Sequence, residues 1–398
     1  MLSFREALDL LLRHTPLLAA QSCRIEQAAG RVLREEIRAD RNFPPFDRVM
    51  MDGYALCMAD WQTGHRTFRV TGCAPAGQPT VDLSDEAGAC VEVMTGAPLP
   101  VGADCIVPLE EVTRPATGEI RIDDSFEAVA GRFIHPAASD APAGTLLLRP
   151  GVLLGSREIG VAASCGAAVL EVSRMPKIAV IATGDELVAV DESPAAHQIR
   201  QSNAHAIGCA LHRAGYQVSH VGTLGDDNGS SMQVLLETLA GCEWLVLTGA
   251  VSKGARDFLP GMLNAMGCTR LFHGVAQRPG KPAGCWIGPG GQVIMALPGN
   301  PVSALTGLHA FVMPALAVAS GLPVPTRRRV IPTDEIAGLP GLTHHLPVTL
   351  RDDGRAEAAA TGNSGDFIGL LRSDGFVTLP PRSDIPGISA ALPFTPWI

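Results

Sequence analysis

Lys177-Ile178-Ala179-Val180-Ile181-Ala182-Thr183-Gly184-Asp185-Glu186 is the stretch that decides the fold. Five apolar residues in a row, closed by a Thr-Gly-Asp turn, lack the polar alternation of a half-exposed strand and are too few for a buried helix. They predict a strand covered on both faces, as in a parallel sheet. Toward the C-terminus the pattern then alternates. A helix is predicted over 202–215, with Ile207, Ala210, Leu211 and Ala214 facing inward and Gly215 as its stop. A strand over 217–224 and a helix carrying Met232, Leu235, Leu236 and Leu239 follow. Next come a strand over 244–247, a helix over 258–266, strands over 271–275 and 293–297, and a last helix over 303–319. This order predicts an α/β domain with a doubly wound, mostly parallel sheet over 176–324.

Toward the N-terminus, Ser3 and Glu6 form a capping box, and Phe4, Leu8, Leu11 and Leu12 continue at helical spacing to Thr15-Pro16. A second helix is expected over 29–37. From Asn42 the pattern becomes short and alternating, with β segments over 67–71, 89–94, 104–107 and 119–122 between Gly- and Pro-rich turns. Residues 46–140 therefore read as a small β domain. Residues 151–172 read as helix and then strand, and short β segments after 325 predict a C-terminal β domain. The fold class is α/β plus β, divided into 1–45 with 141–175 as a helical linker domain, 46–140, 176–324 and 325–398.

Composition narrows the function classes. The 398 residues are 46% hydrophobic and 18% charged, which suits several packed cores and not a disordered chain. A net charge of −9 argues against a nucleic-acid or anionic-membrane binder. Arg5, Glu6 and Asp9 interrupt the apolar N-terminus, unlike a signal peptide. The apolar stretch 310–324 is broken by Pro314, Gly321 and Pro323 and is too short to span a bilayer. Ten scattered cysteines without a C-x-x-C pair point to reduced thiols in a cytoplasmic protein. The 43 glycines and 31 prolines exceed ordinary usage and indicate many tight turns.

Ligands of such sheets bind beyond the carboxyl ends of the strands. Here those ends lead into Thr183-Gly184-Asp185-Glu186, Gly225-Asp226-Asp227, Thr248-Gly249-Ala250-Val251-Ser252-Lys253-Gly254 with Asp257, Arg278-Pro279-Gly280-Lys281-Pro282, and Leu297-Pro298-Gly299-Asn300-Pro301. Glycine turns expose N–H groups to phosphate or an oxyanion, and helix N-termini add partial positive charge. Lys281, Arg278 and Lys253 can supply full charges. Asp185, Glu186, Asp226, Asp227 and Asp257 suit Mg²⁺ or the donor edge of a heterocycle, although single acids here can also be helix caps. A phosphorylated heterocycle with Mg²⁺ fits the set.

Other motifs fit poorly. Residues 274–281 resemble a P-loop, but the spacer is one residue too long and Pro282 stands where Ser or Thr would bind Mg²⁺. Gly288-Pro289-Gly290-Gly291 precedes a strand rather than a helix, and Ala250-Val251-Ser252-Lys253-Gly254 misses the first glycine of a nucleophile elbow. His205, Cys209 and His212 share a helix face at metal-ligand spacing, but opposite the apolar face, which favours plain solvated surface. His344-His345 reads as structural.

Seven strings in one order resemble the MoeA-type molybdopterin molybdenumtransferase family, which shares its core domain with gephyrin. They are Pro44-Pro45-Phe46-Asp47, Met51-Asp52-Gly53-Tyr54-Ala55, the run from Met94-Thr95-Gly96-Ala97-Pro98 to Asp104, Thr183-Gly184-Asp185-Glu186-Leu187, Thr248-Gly249 with Ser252 and Gly254, Pro279-Gly280-Lys281-Pro282, and Leu297-Pro298-Gly299-Asn300-Pro301. The resemblance implies an elongated subunit of four domains, the last barrel-like, in a homodimer whose cleft is shared between protomers. It implies insertion of molybdate into adenylylated molybdopterin with Mg²⁺, releasing AMP and molybdenum cofactor. A molybdopterin adenylyltransferase and molybdoenzyme apoproteins are the implied protein partners. Carried over by motif, Asp52, Thr95, Asp140, Glu186 and Asp257 are the catalytic set. Thr183, Gly184, Asp185, Asp226, Thr248, Gly249, Ser252, Arg278, Gly280, Lys281, Pro298, Asn300 and Pro301 are the cofactor-binding set, and Glu186, Asp226 and Asp257 the metal ligands.

Four places depart from the family strings. Asp47-Arg48-Val49-Met50-Met51-Asp52 stands for D-N-S-A-M-D, and Phe133-Ile134-His135-Pro136-Ala137-Ala138-Ser139-Asp140 for N-I-R-x-x-G-E-D. Ala250 replaces the second glycine after Thr248-Gly249, and His344-His345-Leu346-Pro347 occupies a stretch that commonly carries an Arg. An alternative to the enzyme is thus a non-catalytic pterin-binding accessory or chaperone protein that kept the cleft.

Overall fold

The computed structural model describes residues 1–225, 228–249, 259–359, 363–382 and 390–398. Its contacts form two compact units, one of Met1–Arg34, Pro150–Gly155 and Leu170–Ile398, the other of Glu35–Arg149 and Ser156–Val169.

A six-stranded sheet organises the first unit, in the order Val218–Leu224, Ile178–Thr183, Trp244–Gly249, Val293–Pro298, Gly284–Ile287, Thr269–His273. The first four strands are parallel, Gly284–Ile287 runs opposite to them, and Thr269–His273 pairs antiparallel with Gly284–Ile287. All six residues of Ile178–Thr183 are buried, because successive side chains feed two different cores. Ile178, Val180 and Ala182 meet Ile207 and Leu211 of the helix Asn203–Arg213 and Phe311 and Leu316 further on. Ala179 and Ile181 meet Leu235, Leu239, Met262 and Leu263 on the other face. Each such aliphatic side chain contributes roughly 1.5–3 kcal/mol by leaving water, so the two cores hold helices on both faces. The helical run Pro301–Ala319 is long and apolar enough to cross a membrane, but 83% of it is buried inside the protein and it serves as a core helix.

The capping box forms as expected: Glu6 N donates to Ser3 Oγ at 3.2 Å and Ser3 N donates to Glu6 Oε2 at 2.8 Å. The helix it starts, Phe4–Arg13, packs Phe4, Ala7 and Leu11 on the same core.

Three expectations need correction. Residues 29–37 form no helix: Val32 and Leu33 bridge to Leu153 and Val172, and Gly30 N donates to Leu154 O at 2.8 Å, so tertiary pairing overrides a weak local pattern. The strand expected over 271–275 is broken at Gly274, which has φ +89°. Thr269–His273 stays in the sheet, while Val275–Arg278 leaves it to pair in parallel with Leu2–Ser3 and with Thr343–Leu350. The C-terminal strands thus belong to a seven-stranded sheet that also takes Leu2–Ser3 and Val275–Arg278 from earlier in the chain. The loop 278–282 consequently does not follow a parallel core strand.

The second unit is built on a six-stranded mixed sheet, in the order Cys105–Pro108, Gly53–Leu56, Ala89–Val93, Thr67–Ala74, Glu119–Ile122, Val112–Ala116. Period-two alternation again serves two cores. Tyr54, Leu56, Phe68, Ile120 and Ile122 fill one, and Val49, Ala55, Val91, Val93 and Ile106 fill the other. A helix Met58–Gln62, not anticipated from sequence, covers part of the first. A short antiparallel ladder joins Arg48–Val49 to Ile134–His135.

Candidate functional site

In the first unit a cavity of about 380 Å³ opens at the carboxyl ends of three adjacent parallel strands, Ile178–Thr183, Trp244–Gly249 and Val293–Pro298. Its floor is a chain of hydrogen bonds across those ends. Thr183 Oγ1 donates to Thr248 O at 3.4 Å, and Thr248 Oγ1 donates to Pro298 O at 3.1 Å. Asn203, in the first turn of its helix, donates from one Nδ2 to Thr248 Oγ1 at 3.1 Å and to Gly299 O at 2.7 Å. One amide therefore fastens the helix to two of the strand ends.

Gly249 makes this closeness possible. Its φ is +130°, and a β-carbon there would lie 2.2 Å from Thr183 O. Gly184, with φ +147°, also adopts a conformation that favours glycine, although its absent β-carbon would meet only the flexible Glu186 carboxylate, 2.6 Å from Oε2. Glu186 is exposed and lines the cavity with Thr183, Thr248, Gly249, Asn300 and Pro301. Pro301 opens the helix Pro301–Gly307, and Asn300 is its N-cap residue. Asn300 does not cap with its side chain; Nδ2 donates instead to Ser364 Oγ at 2.8 Å, while Val302 N donates to Ser364 O at 3.2 Å. The helix start, with its partial positive charge, thus faces the cavity beside Gly365 of the C-terminal segment.

Several of the sequence-derived residues lie elsewhere in this unit. Asp185 is exposed in the turn after the first strand, and Pro298 is buried beneath the cavity floor. Arg278, Gly280 and Lys281 belong to the turn that follows Val275–Arg278 and do not line the cavity. That turn is rigid: Val275 N donates to Lys281 O at 2.8 Å, and Gln277 Nε2 donates to Gly280 O at 3.3 Å. Asp226, Ser252 and Asp257, like Ala250, fall outside the described residues. Among the described residues no three His, Cys, Asp or Glu side chains gather as a metal site, and His205, Cys209 and His212 lie exposed on their helix. A larger cavity, about 770 Å³, includes Tyr216, His309, Met313 and Arg327 in its wall and none of the sequence-derived site residues.

Sequence reasoning missed Gln201, Asn203 and Gly365. Gln201 is 5% exposed, lines the smaller cavity, and its buried Oε1 has no hydrogen-bond partner among the described residues. The available signal was the polar run Gln201-Ser202-Asn203 ahead of an amphipathic helix, which reads as capping. Nothing local shows that the first of these amides is buried.

In the second unit Asp52 and Thr95 meet. Asp52 Oδ1 accepts from Thr95 N at 2.6 Å and from Thr95 Oγ1 at 2.8 Å. Those two donors, the backbone one foremost, hold the Asp52 carboxyl below its ordinary range. Asp140 is exposed, and its Oδ1 accepts from His135 Nε2 at 2.9 Å.

The strand-end cavity belongs to a largely parallel α/β domain, and the chain also carries a β-rich unit. Residues 179–318 match a family described as a probable molybdopterin binding domain, and residues 2–166 match the MoeA N-terminal region, domains I and II. The chain is 35% identical, over all of both chains, to a molybdopterin molybdenumtransferase of Synechocystis sp.. It is 33% identical to molybdopterin molybdenumtransferase 2 of Mycobacterium tuberculosis, over 76% of each chain. Among solved structures, a molybdopterin biosynthesis MoeA protein of Pyrococcus horikoshii OT3 superposes over 100% of both chains with a TM-score of 0.83 at 25% identity. The protein belongs to the MoeA-type molybdopterin molybdenumtransferase family.

Proposed function

We propose that this chain inserts molybdate into adenylylated molybdopterin, releasing AMP and molybdenum cofactor. The observation that carries the reading is the strand-end cavity, where a helix start, glycine-lined backbone and amide side chains face one exposed carboxylate. Such a mixture suits a phosphorylated heterocycle: the helix start favours an anion, and the amides Gln201 and Asn203 offer hydrogen bonds to ring edges. The helix start and the Asn300–Pro301 corner orient the anion. Arg278 and Lys281 stand outside this cavity's lining, and the family resemblance alone assigns them cationic charge for molybdate or phosphate.

Glu186 is an oxygen donor at the cavity edge, which fits Mg²⁺, and with Asp226 and Asp257 it would hold the ion. Bound there, Mg²⁺ would neutralise charge on the departing AMP phosphate. Asp52, Thr95 and Asp140 act from the second unit in a cleft shared between protomers of a homodimer. The four-domain division, a cytoplasmic location, supply of substrate by a molybdopterin adenylyltransferase and delivery to molybdoenzyme apoproteins complete the proposal.

The test supplies adenylylated molybdopterin, molybdate and Mg²⁺ and measures AMP. Turnover supports the enzyme; tight pterin binding with no AMP supports the non-catalytic binder instead. Lys281→Ala should weaken anion binding without unfolding the protein if the resemblance assigns Lys281 correctly, and unchanged affinity would withdraw its anion role.

A further inference from the structure

Two of the places where the chain leaves the family strings, Arg48 and His135, are directly opposite each other on paired strands. Arg48–Val49 and Ile134–His135 run antiparallel with Arg48 in register with His135. Arg48 Nη2 lies 3.0 Å from His135 Nδ1, and His135 Nε2 lies 2.9 Å from Asp140 Oδ1. A guanidinium can only donate, so His135 Nδ1 must be the acceptor. The ring hydrogen then sits on Nε2 and is donated to Asp140. Donation runs in one direction, from Arg48 through the imidazole to the carboxylate.

The surrounding backbone holds this chain in place. Asp47 Oδ1 accepts from Ala137 N at 2.7 Å, and Asp140 N and Ala138 N donate to Phe43 O and Pro44 O, each at 2.9 Å. Ala138 has φ +62°, a left-handed conformation that a non-glycine residue keeps only where its surroundings impose it. On the other side of the same segment, Gly96 N donates to Val49 O and Val49 N to Ala97 O, each at 2.9 Å. The short strand Arg48–Val49 therefore lies between the loop of Asp140 and the loop of Thr95, whose hydroxyl and N–H hold Asp52. Asp140 Oδ2 takes no hydrogen bond among the described residues and is left for another donor.

We propose that Arg48 and His135 are positioning residues for Asp140: the guanidinium that the family string carries at position 135 has moved one step across the ladder to Arg48, and the His135 imidazole passes its hold to the carboxylate. This rests on the proposed insertase reading for the role of Asp140. It means that the departure at 135 is compensated within the chain. The cross-strand partner restores the cation, so the loss of an arginine there does not by itself mark a non-catalytic protein.

The test uses the full chain, with kcat and KM for AMP release measured separately and the thermal midpoint as a folding check. Arg48→Asn and His135→Ala should each lower kcat by about tenfold to a hundredfold, as loss of orientation does, with KM nearly unchanged. The double variant Arg48→Asn/His135→Arg, which returns the guanidinium to position 135, should recover most of that loss. Full turnover by either single variant, or a double variant no better than Arg48→Asn, overturns the proposal. Should the unmodified protein bind pterin and release no AMP, the insertase reading fails. In that case ¹⁵N NMR of His135 decides the proposal alone. A folded Nε2–H tautomer that is lost in Arg48→Asn supports it, and an Nδ1–H tautomer overturns it.

Discussion

Replacing Gly249 with alanine puts the strand-end geometry under direct load. Gly249 ends its strand at φ +130°, and the added β-carbon would lie 2.2 Å from Thr183 O and 2.3 Å from Thr183 Oγ1. The hydroxyl can rotate aside, but the carbonyl belongs to the adjacent strand, whose register with Trp244–Gly249 runs from Ile178 to Ala182. Relief must therefore come from backbone movement at the cavity floor. Overpacking of this kind costs roughly 1–3 kcal/mol and the disallowed φ about 1–3 kcal/mol more, so about 2–6 kcal/mol in all. At about 2–4 °C per kcal/mol for a core of this size, the midpoint of the unit should fall by about 4–24 °C. Gly208 offers the opposite case in the same unit. It lies within the helix Asn203–Arg213 with open space where a β-carbon would go, so Gly208→Ala should stabilise by about 0.5–1 kcal/mol. Differential scanning calorimetry of both variants, with pterin binding by titration calorimetry, measures the contrast. If Gly249→Ala melts within about 2 °C of the unmodified protein and binds pterin equally well, Gly249 does not lie against Thr183 and the close strand-end packing is refuted.

Other perturbations separate support from binding. Asn203→Ala removes the amide that fastens Thr248 and Gly299, and should cost about 1–3 kcal/mol in urea unfolding while weakening the pterin ligand. Gln201→Leu deletes a buried acceptor that has no partner among the described residues, so stability should stay within about 1 kcal/mol or rise while affinity for adenylylated molybdopterin falls. An unchanged dissociation constant there would exclude the cavity as the pterin site. His345 lies fully buried between the rings of Phe4 and Phe376, and burial foremost, with Arg327 and His344, pushes its imidazole down to about 3. Below its ordinary 6.5 the unfolded chain takes up a proton that the folded ring refuses, so stability drops as pH falls toward 3. The slope from this residue is about 1.4 kcal/mol per pH unit and should vanish in His345→Phe, as read from urea midpoints across that range.

Local pattern was enough wherever one residue's neighbours in sequence carry the physical cause. The apolar run 178–182 announces a strand buried on both faces, and the structure divides its side chains between two cores. Ser3 and Glu6 cap the first helix as their spacing requires, and Gly215, at φ +87°, stops another. Resemblance alone marked Asp52 and Thr95 as functional; that they meet, more than forty positions apart, belongs to the structure.

Tertiary structure decided what depends on partners remote in sequence. Val275–Arg278 carries a strand pattern, but only Leu2–Ser3 and Thr343–Leu350 determine that it joins the C-terminal sheet. Residues 29–37 have helical spacing, yet their N–H and C=O groups find partners at 151, 152, 154, 171 and 173. Gln201 looks like a cap residue and is buried in the cavity wall. Arg48 and His135 are two unrelated departures in the sequence and one cross-strand contact in the fold. Periodicity reports which faces are buried, because burial follows the local geometry of helix and strand. It does not report which distant backbone stands opposite, since strand register is settled by the packing of the whole sheet. Sequence alone therefore determined the class of fold and the chemistry of its loops, and the tertiary structure determined which of those loops meet.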